Sequence, residues 1–280
     1  MKRLFLLTLL GLLPLSGVSA ETFKERQLAQ AIASARTPQA KGLAIAKMAD
    51  YRDSGWGDSE AKMKMILRNR QGRSSRRNVR VRTLEVFGDG DKGMSIFDTP
   101  RDVKGTVVLT WSHALKPDHQ WIYLPALKRV KRISSRNKSG PFMGSEFAYE
   151  DIASQEVKKY TYRYLRNEYL RNESNNWINC YVVERKPTYR YSGYTRQVSW
   201  IDKQHFNSQK IVFYDRKNAR LKTLIFKDYR QYLGKYWRAH KMFMQNHQTG
   251  KSTKLLWEKY QFGSGFTARD FSKNTIKRIR

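Results

Sequence analysis

The chain has 280 residues, with 55 Lys and Arg against 24 Asp and Glu, a formal net charge of +31 and a single cysteine. That length can bury a core without covalent staples, and one cysteine excludes an internal disulfide framework. The surface must be strongly positive, which concentrates anionic partners such as phospholipid headgroups, lipopolysaccharide or acidic proteins near it.

Lys2 and Arg3 precede an apolar run from Leu4 to Leu13, then Pro14 and small residues ending in Val18-Ser19-Ala20. This three-part layout reads as a secretory signal cleaved after Ala20, which makes 1–20 a signal peptide and 21–280 one domain. The apolar run falls short of the ~20 residues that a spanning helix needs. An exported chain works outside the cytoplasm, so nucleic acid is the least expected of the anionic partners. No cysteine lies near the cleavage site, so a lipoprotein is not expected.

Next, Phe23, Leu28, Ala31, Ile32 and Ala35 recur at helical spacing, which predicts a helix over 21–36 ended by Pro38. A second short helix is predicted over 41–51. Beyond Trp56 the period changes to two. Met63, Met65 and Leu67 share one face of a strand over 60–69, and Lys62, Lys64 and Arg68 share the other. Gln71-Gly72-Arg73 then turns the chain into a returning strand over 76–87, where Val79 and Val81 oppose Arg80 and Arg82. Further strands are predicted at 94–97, 106–112 and 121–124. The second half continues with 158–165, 177–184, 196–202, 210–214, 220–228, 236–245 and 253–262. Consecutive strands with short connections predict an up-and-down antiparallel sheet, and so many strands curl or close.

Two segments stand out within this pattern. Leu127 to Ile133 interleaves Lys128, Arg129, Lys131 and Arg132 with apolar residues. It reads either as a solvated strand face or as a contact for an anionic membrane, where each surface cation contributes roughly 1 kcal/mol. A long loop over 134–150 follows, and loops of that length are usually functional or disordered. Its glycine-flanked tip, Pro141-Phe142-Met143, reads either as a mobile lid or docking element or as a simply packed loop.

Catalytic constellations are missing from the sequence. The five histidines do not sit among acidic or thiol partners at metal spacing, and Asp89-Gly90-Asp91 reads as a hairpin turn rather than a calcium loop. There is no Gly-rich phosphate loop, nucleophile elbow or Ser, His and Asp set, so neither an enzyme nor a cofactor is expected. Cys180, in the apolar run 178–183, is expected to be a buried inert thiol. Tyr160, Tyr162 and Tyr164 form a same-face stripe, read as cross-strand packing. Alternating Met63, Met65, Met242 and Met244 suit either an ordinary core or an adaptable pocket for acyl chains. The residues chosen to line such a cavity are Met63, Met65, Val79, Val81, Ile96, Leu109, Phe213, Phe226 and Met244. A one-residue shift in register would turn any of these strands inside out.

Four segments carry a resemblance. They are Asp53-Ser54-Gly55-Trp56-Gly57-Asp58-Ser59, Asp98-Thr99-Pro100-Arg101-Asp102-Val103-Lys104-Gly105-Thr106, the run from Trp121 through Pro125 to Ile133, and Ser139 to Phe147. In this order they resemble the outer-membrane lipoprotein-sorting protein family, the LolA/LolB-like periplasmic carriers, over most of the mature chain. The resemblance implies a mainly β fold: an incomplete antiparallel β-barrel with an N-terminal helix and a helical lid, enclosing an apolar cavity for acyl chains. It also implies a Gram-negative periplasm and, for many relatives, an inner-membrane permease of the resistance-nodulation-division (RND) type as partner. The expected function is a monomeric periplasmic carrier that takes a lipid, lipoprotein acyl chain or other hydrophobic cargo between inner and outer membrane. The alternative is an envelope lipid sensor or scaffold associated with such a permease. The high positive charge and the long loop depart from LolA itself, which opens the cargo to a different lipid or hydrophobic product.

Overall fold

The computed structural model describes residues 20–279, so the expected signal segment lies outside it up to residue 19. Two helices come first, α1 (Ala20–Ala33) and α2 (Pro38–Arg52). The break between them has a local cause. Thr37 caps α2 by accepting from the Ala40 amide at 3.1 Å, and Pro38 takes the first helical position, where its missing N–H costs nothing.

Thirteen strands follow: β1 (Asp58–Arg68), β2 (Ser74–Leu84), β3 (Lys92–Thr99), β4 (Val107–Trp111), β5 (His119–Leu124), β6 (Arg129–Ile133) and β7 (Tyr160–Arg171). The rest are β8 (Trp177–Pro187), β9 (Arg196–Asp202), β10 (Ser208–Tyr214), β11 (Arg220–Tyr232), β12 (Tyr236–Asn246) and β13 (Ser252–Phe262). They form one antiparallel sheet in the order β6-β5-β4-β3-β2-β1-β13-β12-β11-β10-β9-β8-β7. Every neighbour is consecutive in sequence except β1 and β13, which pair in the middle and bring the two ends of the strand series together. The predicted hairpin is present, with Met63 opposite Val79 and Ala61 opposite Val81. Strands β6 and β7 are the two edges, so the barrel is incomplete.

The segment between those edges, residues 134–159, is a series of short 3-10 turns that fills the interior instead of crossing free solvent. Phe142 and Phe147 are buried with Met63, Met65, Val79, Phe97, Phe213 and Met244 in the largest core cluster. Phe142 is only 1% exposed, and its ring lies 5.9 Å from Phe97 and 5.5 Å from Tyr149. Of the two readings of the Pro141-Phe142-Met143 tip, the packed loop holds and the mobile lid is corrected. Pro141 is exposed, Phe142 is core, and the Met143 carbonyl accepts from the Arg77 guanidinium. An apolar side chain in a polar loop found burial within its own barrel.

Buried polar contacts anchor this plug. Asp118, in the turn between β4 and β5, accepts from Lys138 Nζ at 2.9 Å and from Lys159 Nζ, and so ties the start and the end of the segment to one carboxylate. Asp151 accepts from Lys222 Nζ at 2.7 Å and Tyr194 Oη at 2.9 Å. Glu150 accepts from Tyr189 Oη, Ser192 Oγ and the Gly193 amide at 2.8–2.9 Å. Each buried charge thus has partners, as a low-dielectric interior requires.

Strand alternation assigns the opposite face. Met94, Ile96, Val107 and Leu109 point away from the plug and are covered by Phe271 and Ile276 of the C-terminal tail, which Trp111 Nε1 fastens through the Phe271 carbonyl at 2.8 Å. Cys180 packs with Val182, Val198, Trp200 and Val212 on the outer side of β8–β10, and burial pushes its thiol up to about 12. At neutral pH it is protonated and inert. Helix α2 lies on β7 and β8, with Ile45 and Met48 against Tyr160, Tyr162 and Val183. Gly42 makes this approach possible, because a Cβ there would stand 2.7 Å from the Tyr164 backbone nitrogen.

Candidate functional site

The plug fills one part of the half-barrel, and the rest stays open beneath α2. A cavity of about 750 Å³ lies there, within the size range of small-molecule sites. Its apolar wall includes Val81, Val183, Ile201, Phe226 and Met242, and the alanines Ala46, Ala49, Ala61 and Ala239 leave the space that larger side chains would fill. Trp257 shares the wall, and its indole Nε1 is buried without a hydrogen-bond partner among the described residues. A second cavity of about 440 Å³ adjoins it and shares Ala49, Asp53, Asn207 and Trp237.

Of the nine residues predicted to line a cavity, Val81 and Phe226 do so. Met63, Met65, Val79, Phe213 and Met244 sit on the same inner face but are closed off in the core around the plug. Ile96 and Leu109 are corrected outright, because they lie on the outer face beneath the C-terminal tail. Their neighbours Phe97 and Val108 face inward, so the error is one residue of strand phase. Lys128, Arg129, Lys131 and Arg132 are all exposed, on and just before the edge strand β6.

The sequence reading missed the charge of this cavity. Six carboxylates line it, Asp50, Asp53, Glu85, Asp89, Asp91 and Glu156, against three cations, Lys158, Arg185 and Arg238. The ratio is the reverse of the whole chain's 24 acids to 55 bases. Glu85 receives the Gly55 and Gly57 amides at 2.7 and 2.8 Å, and Asp53 pairs with Arg238. Asp89 contacts His113 Nδ1 at 2.7 Å and the Ala114 amide at 2.7 Å. Against a desolvation that alone would raise it, these contacts bring its carboxyl down to about 2. The signal that could have found the site was present in part: Asp53 and Trp56 belong to one conspicuous segment, and Asp89 and Asp91 to the turn.

The remaining carboxylates raise one another. Asp91 is pushed up to about 7, first by burial and then by Glu156, Glu85 and Asp53, against a hydrogen bond from the Val86 amide. Burial also raises Glu156, Asp50 and Asp53, with Asp50 acting on Glu156 and Asp53 on Asp50. For Asp91 the linkage has a definite sign. Its folded pKa lies above its unfolded value, so the folded state holds more protons and stability falls as pH rises from about 4 to about 7. Asp91→Asn keeps an acceptor for the Val86 amide and removes that titration. Urea midpoints should show the variant gaining on the wild type steadily across this window, and parallel pH profiles would contradict the assignment.

With this geometry in view, the comparisons decide the family. A family model described only as an uncharacterized protein matches residues 89–278. An outer membrane lipoprotein-sorting protein domain from Vibrio parahaemolyticus is 58% identical, with 85% of this chain and 99% of that chain covered and a TM-score of 0.82. The chain belongs to the outer-membrane lipoprotein-sorting protein family. A DUF1329 family protein from Desulfovibrio piger is 28% identical, with 86% and 99% covered and a TM-score of 0.79. A LolA superfamily protein from Nitrosomonas europaea, 19% identical with 86% and 99% covered and a TM-score of 0.66, shares the fold. A search among curated proteins finds no match. Among the described residues no helix is long and apolar enough to cross a membrane.

Proposed function

We propose that the protein is a periplasmic carrier that shields the apolar chain of a lipid or related amphiphile during transfer between the two membranes of the envelope. The observation that carries this reading is the cavity of about 750 Å³ inside the half-barrel, walled by Val81, Phe226 and Met242. Each chain methylene buried there contributes about 0.8 kcal/mol, so a chain of ordinary length supplies ample binding energy. The exposed row Lys128, Arg129, Lys131 and Arg132 on the β6 edge is the surface that docks on anionic headgroups or on an acidic partner such as an inner-membrane RND-type permease. The plug closes the other part of the half-barrel, where Phe142 and Phe147 are buried core.

Native mass spectrometry of the mature protein from a periplasmic fraction tests this directly. A lipid or hydrophobic metabolite should co-purify at close to one per protein. Val81→Trp, which fills the cavity from its wall, should lower that occupancy about tenfold or more while the protein stays folded by circular dichroism, since a tenfold change needs only about 1.4 kcal/mol. A wild-type protein that neither retains nor takes up any envelope lipid would rule out the carrier, and a lipid sensor with it, and leave the scaffold role.

A further inference from the structure

The cavity wall carries a charge pattern that a purely apolar cargo does not need. We infer that the cargo of this cavity is an amphiphile whose head carries an amine, with its chain against Val81, Phe226 and Met242 and its ammonium among Asp50, Asp53, Asp91 and Glu156. The inference rests on the carrier reading and adds the chemistry of the head.

Three observations support it. First, the cavity exists as a space independently of the acids, held open by alanines on α2, β1 and β12. Second, its carboxylates are not used up by the molecule's own cations. In a chain with 55 Lys and Arg, only Asp53 among the four has an ion-pair partner within 4 Å among the described residues, Arg238. The carboxylate of Asp50 has no hydrogen bond or ion pair there, although Lys24 lies close enough to act on it through space. Among the described residues Glu156 accepts only from Ser154 Oγ, at 2.5 Å, and the Asp91 carboxylate only from the Val86 amide. Asp53 lines the cavity with 59% of its side chain exposed. Third, the Trp257 indole N–H in the same wall is buried and lacks an acceptor among the described residues.

The energetics follow from placement. Mutual repulsion among these carboxylates and their partial desolvation are both relieved when one ammonium enters, and charge interactions are stronger in this recess than at a water-exposed surface. Trp56, Trp237 and Tyr260 line the same space, the Trp56 ring already facing the Arg238 guanidinium and the Trp237 ring packed on His205. A carboxylate or sulfate head would instead meet six carboxylates against three cations. The overall field works the other way, since a protein of +31 attracts anions to its exterior. A preference for an amine therefore cannot arise from nonspecific surface binding.

The test is competition for the cavity of the mature protein at neutral pH, by displacement of a fluorescent apolar probe. The competitors share one chain and differ in head: dodecylamine, dodecyl maltoside and dodecanoate, all below their micellar concentrations, with spermidine as an amine lacking a chain. Dodecylamine should bind about tenfold or more tighter than dodecanoate, with the maltoside between them and spermidine far weaker. Asp50→Asn with Glu156→Gln should bring the amine-to-carboxylate ratio close to one. Glu173→Gln, which removes one acid from the exposed surface, should leave the ratio unchanged. Equal affinities, or a tighter dodecanoate, would overturn the inference while leaving the carrier intact. Spermidine as tight as dodecylamine would overturn it in favour of a polyamine site. Failure of every dodecyl compound, the neutral maltoside included, would overturn both readings.

Discussion

Truncating Phe142 to alanine is expected to lower the stability of the protein by about 3–5 kcal/mol, the usual loss for a fully buried phenylalanine. Phe142 is the centre of the plug, 1% exposed and in ring contact with Phe97 and Tyr149. The cost combines lost burial with a cavity that a sheet hydrogen-bonded on both sides cannot collapse to fill. Urea unfolding should show the midpoint falling with the slope unchanged, because the same surface is exposed in either case. A loss below about 1 kcal/mol would mean that the tip is only lightly packed, as a true lid would be.

Replacing Asp118 by alanine should cost a similar amount, about 3–5 kcal/mol, for a different reason: it strands buried charge. Lys138 and Lys159 both reach this carboxylate, and the three side chains are 9% exposed or less. Burial already lowers the Lys138 pKa, and loss of Asp118 removes the anion that opposes the shift. The effect should be local as well as global. With both ends of 134–159 released, limited proteolysis should cut the variant first in this segment, where the wild type resists. The triple replacement Asp118→Leu, Lys138→Met and Lys159→Met should recover most of the loss, since a well-packed apolar trio substitutes for a buried ion cluster at little net cost. If the single variant unfolds at the wild-type midpoint, the plug is held by its apolar side chains alone.

These two variants also separate parts of the molecule that were unequally legible. The strands were readable because side-chain alternation is a local property: the ends of 60–69 and 76–87 lie within three residues of those of β1 and β2, and 196–202 coincides with β9. The helices were legible through Pro38 and the apolar spacing before it. Strand β7 continues six residues beyond its predicted end, through Arg166 to Arg171, because its pairing with β8 overrides a weak local pattern. Lys222 was unreadable as a core residue. It is 3% exposed on an inward-facing position, and only the arrival of Asp151 and the Glu146 carbonyl from the plug makes that tolerable.

The sequence by itself determined the mainly β class, the strand series, the family, the inert thiol and the strongly basic surface, all of which follow from local period, composition or motif. Only the tertiary structure decided which inward face is core and which is cavity. It also placed Ile96 and Leu109 outside, turned the expected lid into a plug, and gathered carboxylates from α2, the β2–β3 turn and the end of the plug around one recess. The physical reason is the same throughout. Alternation tells that a side chain points to one side of a sheet, but curvature and long-range contacts decide what it meets there.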